Sequence, residues 1–567
     1  MRFDAIFHSS RRNISKQSPS AGLKCCLERR SSTNSLFDQT RNMKPETITN
    51  SVPGNLHQSY GKKTNEKAPV HMKCRIFQTI ALGTYLSFFM GQAAIAQEPP
   101  NIIFLLADDM GYADLGCFGS RAIQSPHLDR LAAQGVRLTH CYAASPNCSP
   151  ARTGMLTGRS PYRVGMYDFA RFKPLHIPRQ EVTIAERLKS VGYETMFAGK
   201  WHCSGDFDSG TQPYPGDQGF DHWLANKSNF GKDPTSFKRN GNDVGKVEGW
   251  MSEIVVDEAI QWLEQRVETK PFFTCLWFSE PHTPVVAAEE FQALYRNGAA
   301  LNAAKATSYG GEQVKRNPKW DKLPLYYGCV TMLDHHIGRL LTFLDDRDLS
   351  RNTIVVFTSD NGPEHRTATC FGSPGDLRGA KGHIHEGGIR VPGIVRWPGK
   401  IKAGSKSSEP INGTDWLPTL CAAAGVKSSS DGTIIDGANV LPALVDGKYV
   451  SRERPMMWWL WHARGGYEVA MRDGDYKMVA TMLPQANPGA IADARQPANW
   501  TIMEFIKQAE LGRFEMFNVV KDGSETTNLA EIEPRRFEAT KKKMVALHAE
   551  IRAEGPEYVL GRNRNSK

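Results

Sequence analysis

Short apolar runs that end abruptly in polar residues recur along the chain. Three of them read NIIFLLADD, PFFTCLWFSEPH and TIVVFTSDN. A short apolar run between turn signals is typical of a strand that is buried on both faces, as in a parallel sheet covered by helices. The pattern therefore predicts a sheet whose strands end in Asp, His and Asn side chains.

Helical patterns lie between these runs. One is SPHLDRLAAQG, which begins with a Ser125 cap and Pro126 and ends at Gly135, and another is HHIGRLLTFLDDRD. Alternating strands and helices predict an α/β fold, with a large mixed, mainly parallel sheet sandwiched by helices. Because the carboxyl ends of such strands border one crevice, we expect their polar residues to meet there.

The pattern changes after about residue 440. Runs rich in Trp and β-forming residues alternate with turn signals, and a helical pattern follows near Arg535–Arg552. These runs predict a smaller antiparallel sheet plus a helix, which packs directly on the larger sheet. The folded chain then divides into a main domain, 97–440, and a C-terminal subdomain, 441–567.

The segment MKCRIFQTIALGTYLSFFMGQAAIAQ begins at Met72 with basic residues and continues through an apolar run to a small-residue cleavage site. It predicts a signal peptide over 72–96 and export to the periplasm or the extracellular space. Because the run Ile76–Met90 is shorter than the roughly 20 residues that span a bilayer, we expect no stable membrane anchor. Residues 1–71 are either a disordered extension or a mis-assigned start.

Composition and charge narrow the class of protein. The chain has 567 residues, of which 40% are hydrophobic and 10% aromatic, and this excludes disorder throughout. The formal net charge is +10, but residues 1–71 hold 12 Lys and Arg against 5 Asp and Glu, and 72–96 add two basic residues. The remaining residues carry only +1, so we expect no nucleic-acid partner.

Eight cysteines follow the predicted cleavage site, without the CxxC spacing of a zinc site or the density of a small disulfide scaffold. An exported protein of this size allows one or two bridges without requiring them. The sequence does not pair these cysteines. Taken alone, Cys148 is a disulfide partner, a thiolate nucleophile or a residue destined for modification.

Acids at two strand ends suggest a metal site. Asp108 and Asp109 follow one predicted strand, and Asp360 and Asn361 follow another. Oxygen ligands of this kind suit Ca²⁺ or Mg²⁺, whereas zinc recruits more His and Cys. Each pair taken singly is more often a cap or a turn, but two such ends in one sheet favour a cation.

Two lysines accompany the acids. Lys200 and His202 are two residues apart, so an extended segment would point both side chains the same way, and Lys381 lies in a glycine-rich loop. Lysines beside a divalent cation repel it unless an anion lies between them. The set indicates an oxyanion ester as substrate, and the alternative for either lysine is a solvated surface position.

Two longer motifs are more specific. The first is Cys148-Ser-Pro-Ala-Arg152 with a trailing LTGR, and the second is GYETMFAGKWH, which ends at His202. With these motifs, the first of which matches the family's C-x-P-x-R motif, the chain resembles the type I sulfatases of the alkaline-phosphatase-like superfamily over nearly all of residues 99–530. The resemblance implies an alkaline-phosphatase-like fold and makes 97–440 the catalytic domain.

The resemblance also implies a mechanism. In such sulfatases a dedicated formylglycine-generating enzyme oxidises the cysteine, here Cys148, to Cα-formylglycine, whose hydrated aldehyde is the nucleophile. One hydroxyl attacks sulfur and the other, once deprotonated, expels sulfate, whereas a thiolate would leave an adduct with no such exit. A bound Ca²⁺, or Mg²⁺, polarises the sulfate.

The family's site residues have counterparts in this sequence. By the match of positions, the cation ligands are Asp108, Asp109, Asp360 and Asn361; Arg152 holds the formylglycine; Lys200 and Lys381 neutralise the sulfate; His282 protonates the leaving alkoxide; and His202 takes the proton from the remaining diol hydroxyl. Asp360 also serves as the base that activates the diol. Cys203 and Asn147 depart from the family's usual residues, but neither change removes a catalytic group.

The implied substrate is a sulfated small molecule or carbohydrate. The carbohydrate part depends on the likeness of DNGPE, LRGAKG and EGGIRVPGI to exported bacterial arylsulfatase-like and N-acetylgalactosamine-6-sulfatase-like chains. Candidate substrate contacts near these motifs are His365, Arg366, His383, His385, His462 and Arg464. The Trp cluster Trp458, Trp459 and Trp461 is more typical of a core than of a sugar-stacking platform.

Two other functions remain open. A phosphodiesterase or phosphonate monoester hydrolase of the same superfamily can share the fold and even the nucleophile. A catalytically silent carbohydrate-binding pseudo-sulfatase is expected to have lost catalytic groups, yet all the matched positions are filled here. Paired assays with nitrophenyl sulfate and nitrophenyl phosphate diesters separate the enzymes.

Overall fold

The computed structural model describes residues 98–170, 175–299, 302, 320–364, 371–429, 432–460, 467–483 and 505–556. Several sequence predictions lie outside the described residues: the extension 1–71, the signal peptide 72–96, and the residues His365, Arg366, Cys370, Trp461, His462 and Arg464. No helix in the described part of the chain is long and apolar enough to cross a membrane.

The strands and helices are numbered separately in chain order. Within the described residues the strands are β1 (Asn101–Ala107), β2 (Val136–Tyr142), β3 (Glu194–Lys200), β4 (His222–Asn226), β5 (Lys238–Arg239), β6 (Asn242–Asp243), β7 (Phe272–Trp277), β8 (Thr353–Ser359), β9 (Arg390–Arg396), β10 (Ser405–Ser407), β11 (Ile411–Asn412), β12 (Met456–Leu460), β13 (Glu468–Asp473), β14 (Tyr476–Leu483) and β15 (Glu510–Asn518). The helices are α1 (Pro126–Gln134), α2 (Cys148–Thr157), α3 (Pro161–Val164), α4 (Ile184–Lys189), α5 (Met251–Gln265), α6 (Glu289–Ala293), α7 (Leu323–Asp346), α8 (Glu386–Ile389), α9 (Trp416–Ala423), α10 (Leu441–Asp446) and α11 (Pro534–Glu554).

The three apolar runs form neighbouring strands of one sheet. Among the described residues, that sheet has the order β10-β2-β9-β8-β1-β7-β3-β4-β5-β6, with β11 paired to β2. Strands β8, β1, β7, β3 and β4 run parallel, whereas β9 is antiparallel to its neighbours. Ala107 lies opposite Ser359, so the polar residues that follow β1 and β8 emerge side by side. The mixed, mainly parallel sheet was predicted correctly.

Strand β1 is buried on both faces, as its apolar pattern predicts. Ile103 and Leu105 belong to an apolar cluster that includes residues of α1, α5 and α7. Phe104 and Leu106 belong to a second cluster that includes residues of α2, α4 and α9. The helices therefore cover both faces of the sheet, and they leave its carboxyl-terminal edge to hold the site.

The start of α1 differs from the predicted cap. Ser125 stands at the N-cap position before Pro126, but its side chain makes no cap hydrogen bond. The free backbone N–H groups are instead satisfied by Asp334 of α7, which accepts from Leu128 at 2.7 Å and from His127 at 3.1 Å. Ser125 Oγ accepts from Gly116 N at 2.9 Å. A carboxylate from another helix has replaced the local cap, which no local pattern encodes.

The C-terminal part forms a second sheet in the order β12-β13-β14-β15, in which all pairs are antiparallel. Trp458 and Trp459 are buried, and Trp459 stacks on Tyr162 with ring centroids 5.0 Å apart. Tyr142 of the large sheet and Val479 of the small sheet share one apolar cluster. The sequence therefore correctly predicted the smaller sheet and its direct packing on the larger one. It also correctly predicted that these two tryptophans lie in a core.

The Asp334 cap predicts an unusual pH dependence of stability. Burial raises the pKa of Asp334 to about 7, against its ordinary value of 3.8, so the folded state binds a proton more tightly than the unfolded state. Stability contributed by this group is therefore greatest at acid pH and falls as the pH rises from about 4 to about 7. In Asp334→Asn we expect this fall to disappear. Urea unfolding midpoints of both proteins at pH 5 and pH 7.5 measure the difference, and parallel changes in the two proteins would contradict it.

Candidate functional site

Cys148 begins helix α2, directly after the N-cap residue Asn147. Pro150 falls in the first turn, where its missing N–H costs no helix hydrogen bond. The Cys148 thiol is completely buried, and its Sγ lies 3.6 Å from Asp108 Oδ1. Burial raises the pKa of this thiol well above its ordinary value. Cys148 is a free thiol in the structure, so it is not a disulfide partner.

The other end of α2 is tied to the last helix. Gly158 ends α2 with φ 67°, a left-handed conformation that favours glycine. Arg159, which follows it, pairs with Glu181 at 2.6 Å and with Glu554 of α11. Arg163 also binds Glu554, at 2.6 Å. The motif's trailing Gly-Arg therefore fixes the position of α2.

The four predicted metal ligands lie at adjacent strand ends. Asp108 and Asp109 follow β1, while Asp360 and Asn361 follow β8. Asp109 N donates to Asp360 Oδ1 at 3.3 Å, and Asn361 Nδ2 donates to Asp109 Oδ1 at 2.7 Å. Asp109 has φ 66°, a left-handed conformation in which Asp is enriched among non-glycine residues. Two strand ends thus bring three carboxylates and one amide together.

Arg152 crosses the base of the site and is completely buried. Its Nε donates to Asp360 Oδ2 at 2.9 Å, and its Nη1 donates to the Lys200 carbonyl at 2.9 Å. The guanidinium also lies over the ring of Trp277, 5.2 Å from its centroid. Arg152 therefore joins α2 to three strands and fixes the acid of β8.

Both predicted lysines are buried and paired with acids. Lys200 Nζ donates to Asp108 Oδ2, and Lys381 Nζ lies 2.6 Å from Asp109 Oδ1. Their side chains are 0% and 1% exposed, so the alternative of a solvated surface position is wrong for both. Burial raises the pKa of Asp108, but the charges of Lys200 and the other nearby cations outweigh it and hold this pKa well below its usual range. Burial raises the pKa of Asp109 to about 6.

His282 faces the same acids from the end of β7. Its Nε2 lies 3.4 Å from Asp109 Oδ2, and its Nδ1 lies 2.6 Å from the Thr283 carbonyl. A carbonyl only accepts, so Nδ1 carries the hydrogen and Nε2 is directed to the site. Burial, followed by the charge of Lys381, lowers the pKa of His282 to about 3.

Sequence reasoning missed Asn229, whose Nδ2 lies 3.1 Å from His282 Nε2 and 2.8 Å from Nδ1. Asn229 follows β4. Strand β4 lacks a long apolar run that ends in acid, and so gave no signal. The rule that found the other site residues, polar groups after a parallel strand, also applies to it.

His202 lies at the site, but the predicted reason for its position is wrong. Strand β3 ends at Lys200, and His202 has φ 51°, so the segment is not extended there. Burial, followed by the charges of Lys200 and Arg152, lowers the pKa of His202 well below its ordinary value. His202 Nδ1 is buried with no hydrogen-bond partner among the described residues. It is therefore a neutral imidazole beside the cations.

The donor set fits a hard cation. Asp109 Oδ2 and Asn361 Oδ1 are buried and have no hydrogen-bond partner among the described residues. Buried polar atoms are normally paired, so these two oxygens are suited to a cation. Four ligand atoms, from Asp108, Asp109, Cys148 and His282, also lie within 4.8 Å of one another. This group shares Asp108 and Asp109 with the predicted ligands.

The sulfatase family model matches residues 100–426. This chain belongs to the sulfatase family. It is 32% identical over 416 residues to the canine N-acetylgalactosamine-6-sulfatase, covering 68% of this sulfatase and 72% of the relative. It is 33% identical over 382 residues to human arylsulfatase A, covering 61% and 68% of the two chains.

Solved structures agree with this assignment. The complex of Ps i-CgsB with k-i-k-neocarrahexaose is similar to this sulfatase with a TM-score of 0.65 and 25% identity, covering 81% of this chain and 94% of that one. A phosphonate monoester hydrolase of Agrobacterium radiobacter has a TM-score of 0.54 and 18% identity, covering 80% and 96%, and so shares the fold alone. The sulfatase is thus an enzyme that hydrolyses sulfate esters.

Proposed function

We propose that this sulfatase removes sulfate from a carbohydrate, using a formylglycine made from Cys148 and a bound Ca²⁺. The observation that carries the proposal is the meeting of Cys148 with two buried acids and two buried lysines. Cys148 Sγ lies 3.6 Å from Asp108, and Lys381 lies 2.6 Å from Asp109. Cations on both sides of a metal site suit a substrate that carries several anionic oxygens.

Asp108, Asp109, Asp360 and Asn361 are the proposed Ca²⁺ ligands. When bound, Ca²⁺ polarises the sulfate and favours the ionised form of the nucleophile. The unpaired oxygens of Asp109 and Asn361 support this assignment. Ca²⁺ is preferred over Mg²⁺ because Mg²⁺ demands near-ideal octahedral geometry and usually keeps several waters.

Water adds to the formylglycine aldehyde to give a diol, of which one hydroxyl attacks sulfur and displaces the alkoxide, and the other, once deprotonated, expels sulfate and restores the aldehyde. Arg152 positions this residue by fixing the first turn of α2 against Asp360 and the Lys200 carbonyl. Asp360 is the proposed base toward the attacking hydroxyl. Maturation requires a formylglycine-generating enzyme as partner.

The other side chains act on the sulfate and on protons. Lys200 and Lys381 bind sulfate oxygens and neutralise the charge that develops as the ester bond breaks. His282 acts as the acid in its imidazolium form, which the anionic substrate favours and in which Nε2 also carries a proton to give to the leaving alkoxide, and His202 accepts the proton of the remaining hydroxyl. The Nδ1–Thr283 contact of His282 at 2.6 Å supports this role, because it directs Nε2 to the site.

The names of two relatives support a carbohydrate substrate, N-acetylgalactosamine-6-sulfatase and Ps i-CgsB with its bound neocarrahexaose. The signal-peptide pattern of 72–96 supports export to the periplasm or the extracellular space, without a membrane anchor. The likeness to a phosphonate monoester hydrolase concerns the fold alone. All the matched site positions are filled, which speaks against a silent binder.

Modification of Cys148 is directly measurable. We expect that the protein, co-expressed with a formylglycine-generating enzyme and secreted, yields a Cys148 peptide with the mass of formylglycine instead of cysteine. Peptide mass spectrometry checks this, and Cys203 in the same digest is the control because it should keep its mass. An intact Cys148 in a preparation that hydrolyses nitrophenyl sulfate would show that the nucleophile is wrongly assigned.

The proposed charge and proton roles predict large losses of turnover. In Lys381→Ala and His282→Ala we expect kcat for nitrophenyl sulfate to fall by about 100-fold or more, since each change removes a group that acts in the transition state. Lys402→Ala, at an exposed position, is the matched control and should keep full activity. Wild-type turnover by either site variant would contradict its role. Nitrophenyl phosphate diesters, assayed in parallel, should be poor substrates.

Ca²⁺ binding should be visible without turnover. For metal-stripped protein, we expect the thermal unfolding midpoint to rise on addition of Ca²⁺, because a cation at about 100 times its Kd stabilises the folded state by about 2.7 kcal/mol. Asp109→Asn should lose most of this rise, whereas Asp348→Asn, an exposed control, should keep it. A larger rise with Mg²⁺ at the same concentration would assign Mg²⁺ instead.

A further inference from the structure

A turn of the C-terminal subdomain that contains Ser524 and Glu525 forms hydrogen bonds with the loop that carries Lys381, residues 376–386. Ser524 Oγ donates to the Asp376 carbonyl at 2.6 Å. Arg378 Nη1 donates to the Glu525 carbonyl at 3.1 Å, and Glu386 N donates to Glu525 Oε2 at 2.7 Å. One turn after β15 therefore contacts the loop both before and after Lys381.

The Glu525 carboxylate is itself fixed by a buried cation. Lys477 Nζ, on β14, lies 2.9 Å from Glu525 Oε1 and donates to Glu386 Oε1 at 3.2 Å. Lys477 is 0% and Glu525 is 2% exposed. A buried charge that loses its partner is strongly destabilised, so the two groups stay paired. Glu525 thus presents a fixed acceptor to the first N–H of α8.

Helix α8 contacts the site through its backbone. Gly387 N donates to the Arg378 carbonyl at 2.6 Å, and Gly362 N donates to the Gly388 carbonyl at 2.9 Å. A Cβ added at Gly387 would lie 2.4 Å from the Gly379 carbonyl oxygen, and one at Gly388 would lie 2.0 Å from that of His383. Nothing larger than glycine fits between α8 and the Lys381 loop. A shift of α8 therefore moves the loop.

The geometry points to Glu525 as a positioning residue for Lys381. Lys381 N donates to the Pro363 carbonyl at 2.9 Å, and its Nζ reaches Asp109 at 2.6 Å. Glu525, held by Lys477, fixes α8 and the loop, and so fixes the distance from Lys381 Nζ to the substrate position beside Asp109. This inference rests on the proposed function, in which Lys381 binds a sulfate oxygen.

A double-mutant cycle tests whether Glu525 acts through Lys381. We expect Glu525→Ala to lower kcat for nitrophenyl sulfate by about tenfold, because small displacements of a catalytic group are costly. In the Lys381→Ala background, the same change should lower kcat by less than about twofold, since the group it positions is gone. Glu525→Gln keeps an acceptor for Glu386 N and should lie between wild type and Glu525→Ala.

Glu258→Ala is the matched control. Glu258 is also a buried acid, with Arg239 at 2.6 Å and His222 at 2.7 Å as partners, but His222 begins β4 and so lies at the amino-terminal ends of the parallel strands, away from the site. We expect Glu258→Ala to lower the unfolding midpoint and leave kcat unchanged. Hydrogen exchange gives a second readout, independent of turnover. The amides of Glu386 and Gly387 should exchange faster in Glu525→Ala than in wild type or Glu258→Ala.

The outcomes separate the two proposals. Full turnover by Lys381→Ala would overturn the proposed role of Lys381 and this inference with it. Suppose instead that Lys381→Ala lowers kcat as expected. If Glu525→Ala then leaves kcat unchanged, or lowers it equally in both backgrounds, the positioning role of Glu525 is overturned and the proposed role of Lys381 stands. If Glu525→Ala does not fold, Glu525→Gln carries the same cycle and the same exchange measurement.

Discussion

Asp108 and Asp109 are buried at the end of β1, and each is paired with a buried lysine. Removing one partner would leave an uncompensated charge in the interior, which is among the costliest defects a fold can carry. The strand order places these acids beside Asp360, and Arg152 joins them from the other side. The strands and helices around these residues hold this set of charges together.

Close backbone contacts hold the loops around these buried charges against one another. Glycines at the turn of α8 and after Asn361 bring three loops within hydrogen-bond distance of one another. The C-terminal sheet lies behind α8 and joins it through Lys477 and Glu525. The smaller sheet is therefore part of the support for the site, even though the predicted catalytic residues all lie in the main domain.

The sequence predicted the parts of the fold that have local signals. Apolar runs that end in acid identified β1 and β8, and the C-x-P-x-R motif drew attention to Cys148, which begins α2. The cap of α1 by Asp334, the contact of Asn229 with His282 and the turn at His202 were not predicted. Each depends on the packing of elements distant in sequence, or on a backbone angle that the residue type does not encode. The expectation that polar residues follow parallel strands thus located the acids of the site, but the weak pattern of β4 did not reveal Asn229, and no pattern revealed the turn at His202.

The pairing of Arg159 and Arg163 with Glu554 has a consequence for how the protein folds. Arg159 and Glu554 are separated by 395 positions in sequence. Closing so long a loop costs conformational entropy, and this cost must be met before the contact can stabilise the fold. The helix that begins at Cys148 can be held at its far end by Glu181 earlier, but it gains its ion pairs with Glu554 only when the last helix has been synthesised and docked. A growing chain can therefore complete the main sheet, whose last strand ends at Asn412, before the last helix adds its support to α2.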